Sequence, residues 1–271
     1  MAELDEFLRR HRRLFVLTGA GVSTASGIPG YRDDDGRWQR RPPVTLRAFL
    51  ASAAARRRYW ARSMAGWPLV ARARPNAAHH ALVRLGAARA FAGLVTQNVD
   101  GLHQQAGSTG VIELHGTVAR VVCLDCGAVH PRDAVQCVLE AGNAGFLDAP
   151  ATVAPDGDAD GAPDDVDAFN VPQCPHCDGM LKPDVVFFGE NVPRARVGAA
   201  MQRLEAVDAM LVVGSSLMVW SGYRFCDRAA AKGLPIASIN QGVTRADDLF
   251  ATKVEDDCAA VLPAVIGRVT S

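Results

Sequence analysis

The sequence lacks a net charge and has no long apolar run. Its 29 lysines and arginines balance 29 aspartates and glutamates, and charged residues make up 21% of the 271 positions. A balanced charge provides no global attraction to nucleic acid or to an anionic membrane surface. No stretch approaches the roughly eighteen uncharged apolar residues that a membrane-spanning helix needs. Because Asp5 and Glu6 also precede any apolar run, we expect a cytoplasmic protein with no membrane partner and no specific nucleic-acid partner.

The cysteine pattern also argues against a disulfide framework. The seven cysteines are an odd number, and four of them form two Cys-x-x-Cys pairs, Cys123 with Cys126 and Cys174 with Cys177. Such pairs are typical of metal binding in a reducing compartment. The sequence has no internal repeat of fixed period, and its length suits one large domain with insertions. We therefore expect one core plus a satellite module.

Short apolar runs bounded by glycine, asparagine and serine alternate with segments of helical spacing. The runs span residues 14–17, 91–95, 209–213 and 236–239. The helical segments include residues 77–85, 194–204 and 223–231. Apolar runs of this length are typical of buried parallel strands. Their alternation with helices predicts an α/β fold with a doubly wound parallel sheet.

Two stretches interrupt that alternation. Residues 46–76 have a helical, arginine-rich pattern without a strand, and residues 120–183 contain both cysteine pairs. Within the second stretch, residues 149–170 are rich in aspartate, alanine, proline and glycine. A segment of this composition cannot bury a core, so we expect a mobile surface loop there.

A glycine-containing loop, Gly19 to Thr24, follows the first predicted strand and precedes small residues that suit the start of a helix. Glycines in this position let backbone amides approach a pyrophosphate. The loop departs from the dinucleotide fingerprint because its sixth residue is Thr24, and no acidic strand end follows about twenty residues later. This departure disfavours an ordinary dehydrogenase. Taken alone, the loop is also compatible with a tight turn that binds nothing.

Further motifs occur in a fixed order between residues 18 and 258. They are Gly27-Ile-Pro-Gly-Tyr-Arg32, Thr96-Gln-Asn-Val-Asp-Gly-Leu-His103, Glu113-Leu-His-Gly116, Lys182-Pro-Asp-Val-Val-Phe-Phe-Gly-Glu190, Gly214-Ser-Ser-Leu217, Asn240 and Cys258. This combination resembles the sirtuins, NAD-dependent protein deacylases, in their bacterial class II form. The resemblance implies a Rossmann-type NAD-binding domain and a smaller module of a zinc ribbon and helices. We assign residues 1–45, 77–119 and 184–271 to the first, and the insertions 46–76 and 120–183 to the second.

The resemblance also implies a reaction. A sirtuin removes the acyl group from a protein lysine and releases nicotinamide and 2′-O-acyl-ADP-ribose. His115 matches the general base that deprotonates a ribose hydroxyl, a role that suits an imidazole because its ordinary pKa is about 6.5. Asn98 and Asp100 complete the implied catalytic set. The implied cofactor-binding residues are Gly19, Ala20, Gly21, Ser23, Thr24, Ile28, Arg32, Gln97, Asn98, Asp100, Gly214, Ser215, Ser216, Asn240, Gln241, Gly242 and Cys258.

The two cysteine pairs supply four soft ligands, a set that closes a tetrahedral structural zinc site. The pairs are separated by 47 residues, more than the usual spacing of about 15 to 20, and the acidic tract accounts for the excess. A redox Cys-x-x-Cys motif is the competing interpretation, but it normally lies at a strand-to-helix turn. We therefore predict one structural Zn²⁺ bound by Cys123, Cys126, Cys174 and Cys177.

The acyl group is less well determined. Tyr59 and Arg62 are three residues apart on a predicted helix and share one face. In sirtuins that remove acidic acyl groups, a tyrosine and an arginine at this spacing bind the distal carboxylate, whereas a solvated helix face is an equally good interpretation here. The neighbouring sequence resembles the branch associated with larger or lipoyl-type groups. The other implied substrate-binding residues are Val186, Phe187, Phe188 and Gly189.

Two other functions fit the same motifs. One is a protein ADP-ribosyltransferase that uses the same NAD site with a different acceptor. The other is a non-catalytic module that binds NAD and zinc, against which His115 and Asn98 argue. The predicted partners are acyl-lysine proteins, and we expect a monomer.

Overall fold

The computed structural model describes residues 1–39, 43–88, 93–146, 152–153, 159–160 and 166–270. The helices are α1 (Ala2–Arg10), α2 (Leu46–Ala51), α3 (Ala53–Arg72), α4 (Ala77–Ala88), α5 (Leu102–Gln105), α6 (Arg132–Gly142), α7 (Arg194–Glu205), α8 (Trp220–Ala231) and α9 (Cys258–Thr270). The strands are β1 (Leu14–Thr18), β2 (Gly93–Thr96), β3 (Ile112–Glu113), β4 (Gly116–Cys123), β5 (Val129–Pro131), β6 (Thr152–Val153), β7 (Ala159–Asp160), β8 (Leu181–Val185), β9 (Ala209–Val213), β10 (Ile236–Ile239) and β11 (Thr252–Val254).

Six strands form one parallel sheet in the order β3-β2-β1-β9-β10-β11. Counted within the sheet, this order is 3-2-1-4-5-6, the order of dinucleotide-binding folds. The strand order reverses between β1 and β9, which are parallel neighbours with Thr18 opposite Val213. From β1 the chain first adds strands on one side of the sheet, and from β9 it adds them on the other. The predicted doubly wound parallel sheet is therefore confirmed.

The apolar runs bury side chains on both faces of this sheet. On β1, Leu14 and Val16 join a core with α1, α4 and α9, while Phe15 and Leu17 join a core with α7 and α8. All four side chains are at most 1% exposed. Burying such a side chain stabilises the fold by about 1.5–3 kcal/mol, so the continuous apolar run of β1 reflects a strand with no solvent-facing side.

A second, antiparallel sheet has the order β5-β4-β8. It packs with α2, α3 and α6 around a separate core that contains Phe49, Trp60 and Leu139. Arg132 of α6 is 2% exposed, and its guanidinium lies 5.7 Å from the Trp60 ring and 5.3 Å from the Trp67 ring. The predicted smaller module of ribbon and helices is thus present beside the large sheet.

Most predicted elements are confirmed, with differences at their ends. The strands at 14–17, 209–213 and 236–239 and the helices at 77–85 and 194–204 are present. The helix predicted at 223–231 begins three residues earlier, at Trp220. Within the large parallel sheet, the strands β3 and β11 were not predicted because they have only two and three residues. No α-helix follows the Gly19 loop directly, since two short 3₁₀ turns occupy 20–22 and 24–26.

Two predictions fall partly outside the described residues. Positions 91 and 92 of the predicted second strand lie outside the described residues, and so does most of the acidic tract at 149–170. In the part of the chain that the structure describes, no helix combines the length and the apolar character needed to cross a membrane.

Candidate functional site

A cavity of about 470 Å³ opens at the carboxyl ends of β1, β2, β9 and β10. It lies where the sheet order reverses, the place at which open α/β sheets bind nucleotides. The predicted cofactor residues that line it are Gly19, Ala20, Gly21, Ser23, Thr24, Ile28, Arg32, Gln97, Asn98, Asp100, Gly214, Ser215, Ser216, Asn240, Gln241 and Cys258. Gly242 lies in the adjoining turn, outside this lining, where it packs against the backbone of Asp34.

The glycine loop forms one wall of the cavity by packing against the loop after β9. The amide of Gly21 donates to the carbonyl oxygen of Gly214 at 2.8 Å. A Cβ atom at Gly19 would lie 2.8 Å from that same oxygen, and Gly214 itself has a φ of +60°. Both positions therefore require glycine. The two loops pack directly on each other, and their glycines present bare backbone to the cavity.

Three predicted residues form a hydrogen-bonded network on the cavity floor. The hydroxyl of Ser23 donates to Asp100 Oδ2 at 2.7 Å, and Asn98 Nδ2 donates to Ser23 Oγ at 3.0 Å. The other carboxylate oxygen of Asp100 accepts from the amide of Leu102 at 2.9 Å. Burial raises the pKa of Asp100, and these hydrogen bonds oppose that rise. The network presents fixed polar groups where the resemblance implies ribose and nicotinamide contacts.

His115 lies at the turn from β3 to β4, and its two ring nitrogens have different partners. Nδ1 lies 2.9 Å from the carbonyl oxygen of Gln97, and Nε2 lies 2.8 Å from the hydroxyl oxygen of Ser221. Because a carbonyl oxygen only accepts, Nδ1 carries the proton and Nε2 holds the lone pair. Burial lowers the pKa of His115 to about 4, against the opposing effect of the Gln97 hydrogen bond. The ring is therefore neutral at pH 7, and Nε2 is its basic atom.

Gln97 connects several parts of the site. Its amide donates to the carbonyl oxygen of Thr18 at 3.0 Å, which continues the β1–β2 pairing. Its side-chain Nε2 donates to Ser215 Oγ at 2.7 Å. Its carbonyl oxygen accepts from His115. One residue thus ties the end of β2 to the base and to the loop after β9.

The end of the cavity near β10 is formed by Asn240, Gln241 and Cys258. Asn240 Nδ2 donates to the carbonyl oxygen of Gln241 at 2.6 Å and shapes the turn. Cys258 begins α9, is 4% exposed and places its Sγ atom 3.6 Å from the carbonyl oxygen of Ile239. Burial raises the pKa of this thiol to about 12, so it stays protonated. A buried, unreactive thiol agrees with a backbone contact at this position.

The opposite side of the cavity is lined by the predicted substrate residues Val186, Phe187, Phe188 and Gly189. Tyr59 and Arg62 lie outside the lining. The ring of Tyr59 is 6% exposed and packs behind Phe187, with ring centroids 5.1 Å apart. Tyr59 therefore supports the wall of the cavity through Phe187, and its predicted contact with an acyl carboxylate stays a prediction.

Several cavity residues were not predicted from the sequence. Tyr31 and Trp38 form an aromatic cluster with Phe188, with ring centroids 5.4 to 6.1 Å apart. The guanidinium of Arg32 lies 4.3 Å from the Trp38 ring and donates to the carbonyl oxygen of Gly36 at 2.7 Å. Ser221 and Arg224 of α8 line the cavity beside His115. The contacts with Phe188 and the approach of α8 to His115 join segments distant in sequence, so a local pattern did not reveal them.

The four cysteines of the two pairs converge beside β4 and β8. Their sulfur atoms all lie within 4.8 Å of one another. Cys123 Sγ is 3.6 Å from Cys177 Sγ, and Cys126 Sγ is 3.8 Å from Cys174 Sγ. Four sulfurs around a tetrahedral zinc ion at about 2.3 Å are about 3.8 Å apart, so the observed spacing fits the ion. The set leaves no coordination position for water, and the predicted structural zinc site is confirmed.

Local backbone turns place these sulfurs. Cys123 ends β4 and Cys126 lies in the turn to β5, where the amide of Gly127 donates to the carbonyl oxygen of Cys123 at 3.0 Å. A Cβ atom at Gly179 would lie 2.9 Å from Cys123 Sγ, which excludes larger residues there. Because neither pair lies at a strand-to-helix turn, the geometry does not support the redox interpretation.

Comparison with known proteins agrees with this geometry. The Sir2 family matches residues 19–221 of the chain. A protein of Xanthomonas campestris pv. campestris (strain 8004) named "NAD-dependent protein deacetylase" is 58% identical over 259 residues, which cover 96% of this chain and 88% of that protein. "NAD-dependent protein deacetylase 2" of Bradyrhizobium diazoefficiens is 56% identical over 259 residues, with 96% and 95% covered.

A solved structure described as "Sir2-p53 peptide-NAD+" has the same architecture. It is 29% identical, with a TM-score of 0.78, and the match covers 99% of this chain and 98% of that one. The predicted motifs, the sheet order, the four-cysteine cluster and these matches all agree. The chain belongs to the Sir2 family.

Proposed function

We propose that this protein removes acyl groups from lysine side chains of other proteins and consumes NAD⁺ in doing so. The observation that carries the proposal is the neutral His115, which has its lone pair on Nε2 and lines a cavity at the switch point of a dinucleotide-binding sheet. The relatives named as NAD-dependent protein deacetylases support the same activity. The products are the free lysine, nicotinamide and 2′-O-acyl-ADP-ribose.

The large sheet supplies the residues that would hold NAD⁺. We assign the pyrophosphate to the wall formed by the Gly19 and Gly214 loops, and the adenosine to the turn at Asn240 and Cys258. The Ser23, Asn98 and Asp100 network then faces the nicotinamide ribose. Bound NAD⁺ supplies the anomeric carbon that the acyl oxygen attacks as nicotinamide leaves. The protein positions the two substrates and keeps water away from the reacting carbon.

His115 acts as the general base in this proposal. Its Nδ1 donates to the carbonyl oxygen of Gln97, so the ring cannot turn this nitrogen toward the substrate without losing a hydrogen bond of 2.9 Å. The lone pair on Nε2 then takes the proton of a ribose hydroxyl, and the oxygen of that hydroxyl accepts the acyl group. Proton transfer to a positioned base of this kind contributes about 10²- to 10⁴-fold to a rate.

The substrate lysine enters between the large sheet and the smaller module. We infer that residues 186–189 at the end of β8 line its path, since Val186, Phe187, Phe188 and Gly189 form the apolar side of the cavity. The zinc ion holds β4, β5 and the Cys174 turn together and takes no part in the reaction. Residues 46–76 and 120–183 thus form a support for the substrate side, and the rest of the chain forms the NAD side.

Metal-binding Cys-x-x-Cys pairs are typical of a reducing compartment, which supports the proposed cytoplasmic location. The acyl preference is tested with one peptide sequence that carries acetyl, succinyl, a longer acyl group or lipoyl on its lysine. Mass spectrometry should detect nicotinamide and 2′-O-acyl-ADP-ribose in equal amounts with at least one peptide. His115→Ala should abolish formation of 2′-O-acyl-ADP-ribose, because transfer of the acyl group to the ribose needs the base.

Two outcomes would contradict the proposal. Free carboxylate formed without loss of NAD⁺ would indicate a simple hydrolase. Label from NAD⁺ that stays on the acceptor protein after denaturation, with no acyl-ADP-ribose, would indicate an ADP-ribosyltransferase instead.

A further inference from the structure

The first turn of α8 brings a serine hydroxyl to the basic atom of His115. Ser221 Oγ lies 2.8 Å from His115 Nε2, although the two residues are 106 positions apart in sequence. Because Nδ1 holds the ring proton, the Ser221 hydroxyl donates to Nε2. A positioned hydroxyl therefore already occupies the lone pair that the proposed reaction requires.

The position of Ser221 is fixed by its neighbours. The amides of Gly222 and Tyr223 both donate to the carbonyl oxygen of Val219 at 3.2 Å, which closes the first turn of α8. A Cβ atom at Gly222 would overlap the side-chain amide of Gln97, so the helix packs directly on the residue that holds His115 Nδ1. The helix and Gln97 thus hold both nitrogens of the ring at once.

Ser221 also faces the cavity, and its hydroxyl oxygen keeps acceptor capacity after its proton is donated to Nε2. A hydroxyl group of a ligand in the cavity therefore meets His115 Nε2 with Ser221 Oγ already bound to it. The proton of that hydroxyl has two paths to His115 Nε2. The ligand hydroxyl displaces Ser221 from Nε2 and donates directly, or the proton is transferred through the Ser221 hydroxyl. Displacement would cost the 2.8 Å hydrogen bond and leave the serine hydroxyl to find another partner.

We propose that Ser221 is a catalytic residue that relays the proton from the ribose hydroxyl to His115. This role rests on the proposed function. In the step, the O–H bond of the ribose hydroxyl breaks and its proton passes to Ser221 Oγ. The proton of Ser221 passes to His115 Nε2, so the serine ends neutral and the imidazole ends as a cation. No other reactant is needed.

The charged groups around His115 are Arg196 of α7 and Arg224 of α8, and both lower the pKa of His115. Arg196 also pairs with Asp184 at 3.2 Å. Neither guanidinium accepts a proton near pH 7. They disfavour a lasting imidazolium and so promote return of the proton from His115 after the acyl group has moved.

The test separates the proton path from the shape of the cavity. Exchange of labelled nicotinamide into NAD⁺, measured with an acyl peptide present, needs only cleavage and re-formation of the nicotinamide bond. Deacylation additionally needs the base. Ser221→Ala should lower kcat for deacylation by about 10- to 100-fold, within the range for general-base effects, and should leave the exchange rate within about threefold of wild type.

Two further measurements make the test specific. Ser221→Thr keeps a hydroxyl and should restore most of the deacylation rate. In mixtures of H₂O and D₂O, the wild-type rate should curve as expected for two protons in motion, and Ser221→Ala should give a straight line. Asp227→Asn, an exposed change on the same helix, serves as the control for helix stability.

Three results would overturn the relay. One is an equal loss of exchange and deacylation in Ser221→Ala, which would indicate a structural role. The second is unchanged or faster deacylation, which would make the serine dispensable or a mere cap on Nε2. The third is a Ser221→Thr variant as slow as Ser221→Ala with unaltered thermal unfolding. Absence of NAD⁺-dependent deacylation in the wild type would instead overturn the proposed function, and this role with it.

Discussion

The Nδ1 atom of His115 and the carbonyl oxygen of Gln97 lie 2.9 Å apart, across the gap between the ends of two neighbouring parallel strands. Gln97 follows β2, and His115 follows β3, so the register of Val95 with Ile112 sets this distance. The contact fixes which ring nitrogen carries the proton. The pairing of two short strands therefore determines which nitrogen of His115 holds the lone pair.

The first prediction concerns the pH dependence of deacylation. Burial lowers the pKa of His115 to about 4, so the basic form is present at every pH well above that value and is lost only as the pH falls toward it. We expect kcat to stay nearly constant between pH 8 and about pH 6, where an exposed histidine with a pKa of about 6.5 would be mostly protonated. Initial rates at saturating substrate across this range check it. A rate that falls by half near pH 6.5 would contradict it.

The second prediction concerns stability in acid. Burial lowers the pKa of His79 to about 4 and of His103 to about 3, and the two rings lie 4.8 Å apart. The unfolded chain binds these protons near pH 6.5 and the folded chain does not, so stability is lost as the pH falls below 6.5. Each buried histidine should lower the free energy of unfolding by about 2 kcal/mol between pH 7 and pH 5.

Urea unfolding at the two pH values measures this difference. His79→Asn should reduce the loss between pH 7 and pH 5 by about the share of one histidine, since asparagine does not titrate. His80→Asn, an exposed neighbour on the same helix, should leave the loss unchanged. An equal loss of unfolding free energy between pH 7 and pH 5 in wild type and His79→Asn would refute the lowered pKa of His79.

The third prediction concerns the zinc site. Cys177→Ser should release the ion and lower the melting temperature, because three thiolates and a hydroxyl bind zinc weakly. Cys137→Ser, a change at an exposed cysteine outside the cluster, is the matched control and should keep one zinc ion per chain. Replacing zinc with Co²⁺ should leave kcat nearly unchanged, since the four ligands exclude a reacting water. A large change in kcat with intact folding would indicate a catalytic metal.

The fourth prediction concerns Cys258. Cys258→Ala should leave the KM for NAD⁺ within about twofold, because the thiol is buried and bonded to the Ile239 carbonyl oxygen. Loss of the small buried sulfur should lower the free energy of unfolding by about 1 kcal/mol. Cys226→Ala, a change at a buried cysteine in the core between the large sheet and α7 and α8, is expected to show a similar loss of stability. A tenfold rise in KM would show that the side chain contacts the nucleotide.

The fifth prediction concerns acyl preference. Arg62→Ala should lower kcat/KM for a succinyl peptide by about tenfold or more, since a guanidinium that grips a carboxylate contributes a charge-assisted pair, and should change the acetyl peptide much less. Arg57→Ala, on the same helix, is the control for the overall charge of α3. Equal effects on both peptides would leave Arg62 on a solvated face. Tyr59→Phe should keep the packing against Phe187, so any change in kcat/KM for this variant reports the contribution of the hydroxyl alone.

Local patterns were sufficient for the elements and the metal. Continuous apolar runs predicted β1, β9 and β10 because a strand buried on both faces leaves no polar position. The Cys-x-x-Cys spacing predicted the zinc ligands because each pair closes within one turn, and only the meeting of the two turns was left to the fold. The start of α8 was predicted three residues late, and this difference concealed Ser221.

The sequence by itself determined the sheet class, the four zinc ligands and the family, since each depends on residues that are near neighbours or on motifs in order, and it predicted His115 as the base that we propose. Tertiary structure alone decided which nitrogen of His115 is basic, because its partners Gln97 and Ser221 come from the segment after β2 and from α8. It likewise placed Tyr59 behind Phe187 and outside the cavity lining. Hydrogen bonds and ring contacts between distant segments depend on how helices pack on the sheet, and no local periodicity encodes those distances.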